Sequence, residues 1–363
     1  MLNGKKVLTL NLPRVITSLF FAGITLLYLL SFHKAGPNYT FGGFLLNPVD
    51  GNSYLAKMYQ GWEGNWLFRL PYTAEAGPRT LLFIYYLFLG RLARISHLPL
   101  LIVFHAARLG GAVFLLYELR KFFNTVFSKG TLEADWSFSL AALGSGMGWL
   151  AVPWGVVASD FWVAEAYPFL SSFANPHFPL SLGLVLYLLR PMGAGFRVPC
   201  RRSASLVLIF LAAMLLAILS PFGVVLVWII QAALLVWNLV PWNKGSPGSQ
   251  VSIGGYPLQT LLVTVAAGAP WLAYDNYLTQ SHPALAAWNL QNLTPSPPLW
   301  DLLLSLSPAL ALVIPGIWQT IRDKAPGGFL LTAWLVIAFF LLFIPFNLQR
   351  RMMMGIYIPA AGL

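Results

Sequence analysis

The sequence predicts an all-α protein, a polytopic transmembrane helical bundle of about 8–10 spans, since some 20 apolar residues carry a helix across a bilayer. Three observations point there. Only 9% of the 363 residues are charged and 58% are apolar, whereas soluble domains carry about 25% charged residues. Mean hydropathy is +0.71. The apolar runs are continuous and rich in Leu and Ala, which favours helices over the alternating ~10-residue segments of a barrel. The net charge of +11 is scattered over short basic stretches between these runs. That pattern follows from the positive-inside bias and leaves no patch for nucleic acid. Cys200 is the single cysteine, so neither an intramolecular disulfide nor a cysteine metal cluster is available.

The elements follow in order. Val15–Phe32 comes after Lys5, Lys6 and Arg14 and is closed by SFHKAGPN without a small-residue cleavage site. It reads as a retained signal anchor with a cytoplasmic N-terminus. Residues 33–97 form a polar, aromatic external loop carrying Asp50, Lys57, Glu63, Arg69 and Glu75. Within it Thr80–Ile95, interrupted by Arg91 and Arg94, is expected to be an interfacial or re-entrant helix. Leu98–Leu119 returns to Arg120 and Lys121, and Ser137–Val157 is the next expected span. Residues 158–178 make a second external loop, and a span from Pro179 ends at Arg190, Arg197, Arg201 and Arg202.

Ser203–Val240 would be about 57 Å as one helix, so Ser220-Pro221 should divide it in two. Lys244 and a Gly/Ser/Pro-rich linker to Gly255 lie inside, and Leu258–Tyr274 goes out. Asp275–Leu299 is expected as a polar outer loop, followed by spans Trp300–Ile321 and Phe329–Phe346. The sequence then stops within a new apolar stretch at Leu363, so a longer native chain is expected around this single integral membrane domain of residues 1–363. More than half of the 22 Lys and Arg fall on the cytoplasmic side, but the adjacent Arg350 and Arg351 fall outside. No internal repeat suggests the related halves of a transporter.

This topology gathers three groups on the external face. They are Asp50 with Tyr54 and Lys57, then Glu165 with Asn175 and His177, then Arg350 with Arg351. Ionisable groups are costly near lipid and tend to mark function or a boundary. A carboxylate at Asp50 suits a general base on an acceptor hydroxyl, and arginines suit a phosphate leaving group. Glu165 and His177 could hold a divalent metal or orient a donor. Each has a plainer reading. Asp50 could cap a helix beginning at Gly51 or Asn52, and Glu165 could belong to an aromatic belt with Trp162, Tyr167 and Phe169. His177 could be a satisfied interfacial histidine, and the arginines could snorkel to headgroups. Asp301 is explained by a helix N-terminus. Glu118 beside Arg120 reads as interfacial, while Arg108 must face protein or water.

The setting PVDGNSYLAKM after an N-terminal span resembles the GT-C glycosyltransferases. The segments GNWLFRLPYTAEAGPRTLLFIYYLFLGRLAR and EAYPFLSSFANPHFPLSLGL are similar to those of bacterial membrane proteins of this type. The resemblance implies an inverting enzyme of the bacterial plasma membrane, like protein mannosyltransferases and aminoarabinose transferases. Such an enzyme takes sugar from a polyprenyl-phosphate donor in the bilayer to an acceptor on the outer face. It implies that Asp50 is the first-loop catalytic carboxylate and that Glu165 with His177 forms the second-loop acidic region. One departure is Gly51, where many members carry a second acid. Two rivals remain open: a transporter or flippase of lipid-linked intermediates, and a non-catalytic membrane subunit.

Overall fold

A computed structural model describes residues 11–193, 202–239 and 255–363. Lys5, Lys6, Cys200, Arg197, Arg201 and Lys244, used above to orient the chain or judge its cysteine chemistry, lie outside the described residues. The described residues form α-helices joined by loops and short 3-10 turns, with one isolated bridge between Phe68 and Thr80. In chain order the helices are α1 (Leu12–Lys34), α2 (Pro48–Trp62), α3 (Ile84–Ser96), α4 (Leu100–Val126) and α5 (Leu132–Leu143). Next come α6 (Pro168–Phe173), α7 (His177–Gly193), α8 (Arg202–Leu219), α9 (Pro221–Leu239) and α10 (Tyr256–Ser281). The last are α11 (Pro283–Gln291), α12 (Leu299–Leu306), α13 (Ala309–Asp323), α14 (Pro326–Leu341) and α15 (Tyr357–Gly362).

Two helices, α1 and α4, are long and apolar enough to cross a membrane, and α12 with α13 makes a third if that bent pair is one span. Segments of α8, α9 and α14 are shorter apolar helices. Along α1, Leu19, Leu26, Leu29, Leu30 and Phe32 are exposed. An apolar side chain pointing outward from a hydrogen-bonded helix is what hydrocarbon tolerates. The chain is thus a helical membrane protein. The α8–α9 break falls at Ser220, as Pro221 requires.

Three sequence expectations fail. Ser137–Val157 is not one helix: α5 ends at Leu143, and Gly144, Gly146 and Gly148 lead into a 3-10 turn, Gly148–Trp154, that contains Pro153. A Cβ at Gly146 would meet the Ser305 carbonyl oxygen at 2.1 Å, so the loop packs directly on α12. Trp300–Ile321 bends by 79° between α12 and α13, where Ser307 and Pro308 intervene. Asp275 does not open a loop, because α10 runs on to Ser281 and α11 follows after His282. Glu118 is buried in the protein, 2% exposed, and pairs with Arg190 at the end of α7.

The main core lies where α4 packs along α7, α5 and α15 join them, and α8, α9, α10 and α14 close the other side. The α2–α3 hairpin has a core of its own, including Met58, Tyr86, Leu89 and Ala93, that meets α4 through Phe104. Arg91 and Arg94 hold its far end. Arg91 donates to the Gly64 carbonyl and lies over Trp66 at 4.4 Å, and Arg94 Nη1 donates to the Trp62 carbonyl at 3.3 Å. Guanidinium donors thereby satisfy acceptors left at the end of α2.

Arg108 faces protein. It is 2% exposed and donates from Nη1 to Ser172 O at 2.7 Å, from Nη2 to Ile24 O at 3.1 Å and from Nε to His105 Nδ1 at 3.2 Å. Its guanidinium also lies over the Tyr28 ring at 4.4 Å. One side chain therefore ties α4 to α1 and α6. Arg108→Met keeps the apolar stem and strands the Ser172 carbonyl at the end of α6, at about 1–3 kcal/mol before relaxation, while the Ile24 carbonyl keeps its intrahelical partner. The expected net loss is about 2 kcal/mol, measured as a lower midpoint in detergent melting.

Candidate active site

Faces of α2, α10 and α11, the start of α7, the α8–α9 break and the loops between helices line a cavity of about 870 Å³. On α2, Asp50, Ser53, Tyr54 and Lys57 are spaced i, i+3, i+4 and i+7, so they share one face. Asn47, with φ 47°, and Pro48 start this helix, which puts Asp50 in the first turn and not at the cap. A carboxylate there is favoured by the helix dipole. Its side chain is exposed to the cavity.

Lys57 is 7% exposed. Its Nζ donates to Ser53 Oγ at 3.1 Å and lies 4.4 Å from the Tyr54 ring and 4.1 Å from the Phe83 ring. Burial lowers its pKa to about 8, against the opposing pull of the Asp50 carboxylate. Tyr54 stacks on Tyr86 at 4.3 Å, and burial raises both phenols. Tyr86 thus stays protonated, and its hydroxyl lies 2.6 Å from His177 Nδ1 at the start of α7. With Tyr86 donating, His177 presents Nε2–H elsewhere.

Glu165 comes from a 3-10 turn, Ala164–Ala166, and is 5% exposed. It accepts from Arg351 Nη1 at 3.2 Å, and its carbonyl accepts from Gly355 N at 2.8 Å. The segment after α14 is thereby seated on the second loop. Gly355 turns there with φ +66°, and a Cβ would meet the Trp334 ring at 2.8 Å. Arg351 keeps a third of its side chain accessible, 33%.

The cavity therefore brings together Asp50, Tyr54, Lys57, Glu165, His177 and Arg351. Two sequence candidates are not among its lining residues. Asn175 is buried beneath the turn into α7, its carbonyl accepting from Phe178 N at 3.2 Å. Arg350 lies over Trp162 at 4.6 Å while its N–H donates to Thr294 O at 3.0 Å. Consecutive residues of a 3-10 turn point about a third of a revolution apart, so the two arginines separate.

Glu165 and His177 do not make a metal site as they stand. Glu165 is paired with Arg351, His177 Nδ1 is taken by Tyr86, and no three His, Cys, Asp or Glu among the described residues are grouped to hold an ion.

Sequence reasoning missed the opposite wall. Trp271, Asp275, Leu278 and Thr279 share one face of α10, and Leu285, Trp288 and Asn289 share one face of α11, continued by Asn292. Their spacing, i, i+4, i+7 and i+8 on α10 and i, i+3, i+4 and i+7 from Leu285 to Asn292, was readable, but only once both stretches are taken as helical. Asp160 and Asp301 lie elsewhere, in a buried knot. Asp301 accepts from Ser159 N and Oγ, each at 2.8 Å, and from Ser305 Oγ at 2.6 Å. Asp160 accepts from Gly148 N at 3.1 Å, and burial raises its pKa. These bonds dock the second loop on α12.

No protein-family model matches this sequence, and no curated protein does. Among solved structures, the chain is similar to the crystal structure of the Archaeoglobus fulgidus oligosaccharyltransferase tethered with an acceptor peptide containing the NVT sequon via a disulfide bond. The TM-score is 0.53 at 14% identity, over 99% of this chain and 49% of that one. The chain spans about half the length of that protein. At this identity the likeness shows a shared helical fold.

Proposed function

We propose that the chain is a membrane glycosyltransferase that moves a sugar from a polyprenyl-phosphate donor to an acceptor hydroxyl on the extracytoplasmic face. One observation carries the reading: an exposed carboxylate on α2 and the Glu165–Arg351 pair line the same cavity. Its volume, about 870 Å³, lies within the ~300–1,000 Å³ of ordinary ligand sites.

In the proposed reaction the acceptor oxygen attacks the anomeric carbon from the face opposite the phosphate, inverting it. A C–O bond forms as the anomeric C–O bond to phosphate breaks. The phosphate leaves with the electron pair, and the acceptor proton passes to Asp50. Arg351, oriented by Glu165, and Lys57 offset the charge gathering on the leaving group. His177, held by Tyr86, positions the donor. No step is routed through a metal.

The test is transfer from a short-chain polyprenyl phosphosugar by the purified chain in lipid nanodiscs. Binding of the lipid without any transfer would replace the enzyme with a carrier or flippase. Lys57 adds a pH signature. Its folded pKa of about 8 lies below its ordinary 10.5, so its positive charge is lost as pH rises through 8. Affinity for the phosphate should fall across that interval, and Lys57→Gln should remove the step. For stability the sign is opposite. Burying the charged amine costs stability fully below pH 8, and the penalty is relieved between pH 8 and 10.5.

A further inference from the structure

We infer that the α10–α11 wall is the sugar-recognising surface of the cavity, and that it selects a pyranose carrying no carboxylate. This rests on the proposed transferase reading and adds the class of group transferred. The wall presents two indoles, Trp271 and Trp288, with the Thr279 hydroxyl, the amides of Asn289 and Asn292, and the Asp275 carboxylate. Both cations lining the cavity, Lys57 on α2 and Arg351 after α14, lie on other elements, beside the Asp50 and Glu165 carboxylates. The α10–α11 wall thus carries no positive charge.

Phosphate belongs with the cations. A pyranose belongs with the other wall, because its C–H face packs on an indole while its hydroxyls need both donors and acceptors. Asparagine side chains supply both. Trp288 is 42% exposed, and its ring is held edge-on to Phe83 at 6.3 Å. An indole held in place binds with less ordering cost than a free one. Asp275 makes no ion pair among the described residues. It can therefore accept from a sugar hydroxyl or meet an ammonium, and it repels a hexuronate. The wall is also tied to the first loop. His282, between α10 and α11, accepts from Leu285 N through Nδ1 and has Nε2 2.9 Å from Pro78 O. Tyr274 Oη accepts from Leu81 N at 3.1 Å. These bonds hold the sugar wall in register with the loop that leads into α3.

The experiment is isothermal titration of the full chain in nanodiscs with three probes: a short-chain polyprenyl phosphate, the same lipid as a phosphohexose, and as a phosphohexuronate. The phosphohexose should bind at least tenfold more tightly than the phosphohexuronate. Trp288→Ala, at a half-exposed site where folding is not at stake, should weaken the phosphohexose about tenfold and leave the bare phosphate unchanged. Asp275→Asn should narrow the hexose–hexuronate gap about tenfold, and Asn289→Ala serves as an independent third variant. If all three variants leave both sugar lipids unchanged while the lipids still bind, the wall has no role in sugar selection and the transferase reading stands. If the bare polyprenyl phosphate and its sugar forms all fail to bind, that reading falls and this inference falls with it.

Discussion

Asp50→Asn should lower the transfer rate by roughly 10²–10⁴-fold, the usual contribution of a general base, while the lipid donor still binds. The substitution preserves shape and removes the only property the mechanism needs, a basic oxygen facing the acceptor. Asp50 sits in the first turn of α2, exposed to the cavity. Losing its charge forfeits about 0.3–1 kcal/mol of favourable interaction with the helix N-terminus. The melting midpoint should therefore move little. Rate and donor affinity must be measured on the same preparation. An equal loss in both would mean that Asp50 binds the donor, and full retention of transfer would remove it from the chemistry.

Gly90→Ala should be nearly as severe, through a different route. A Cβ on Gly90 would stand 1.8 Å from the Met58 carbonyl oxygen, and one on Gly61 would stand 2.0 Å from the Leu87 carbonyl oxygen. The α2 and α3 backbones thus touch at two reciprocal glycines. The obstruction is main chain on both sides, so no rotamer change relieves it, and the helices must part. We expect a cost of about 3 kcal/mol, the upper end of overpacking, seen as a lower thermal midpoint. Parting the helices also displaces Tyr54 from Tyr86 and moves the face that carries Asp50. Since about 1 Å of misplacement can cost 10²-fold in rate, residual folded protein should transfer poorly. Normal transfer and stability in this variant would mean that the hairpin can open without moving the site.

Much of the candidate site could be read from residue type. Asp50, Glu165, His177 and Arg351 stood out because carboxylates, imidazoles and guanidiniums are scarce in so apolar a chain, and all four line one cavity. Arg350 shared that signal with Arg351 and went elsewhere, to Trp162. Adjacency in sequence says nothing about direction until the local twist is known. Asp275 was visible but assigned to a loop, since the polar stretch after Tyr274 dilutes the apolar pattern that marks α10. The four residues at 271, 275, 288 and 289 then had no face in common.

The sequence by itself determined the solvent this protein is built for and the helical class that follows, because hydrocarbon leaves backbone polar groups only intrahelical partners. It also determined the break at Ser220-Pro221. Tertiary structure alone decided how the pieces on either side of the bends after Leu143 and at Ser307-Pro308 dock: Gly146 packs on the Ser305 carbonyl, and Ser159 binds Asp301 across 142 residues. It alone decided, too, that Glu165 meets Arg351, 186 residues away. Apolar runs specify how much chain must be buried but not which runs meet, and that choice is made by the packing of α4, α7 and α14 around them.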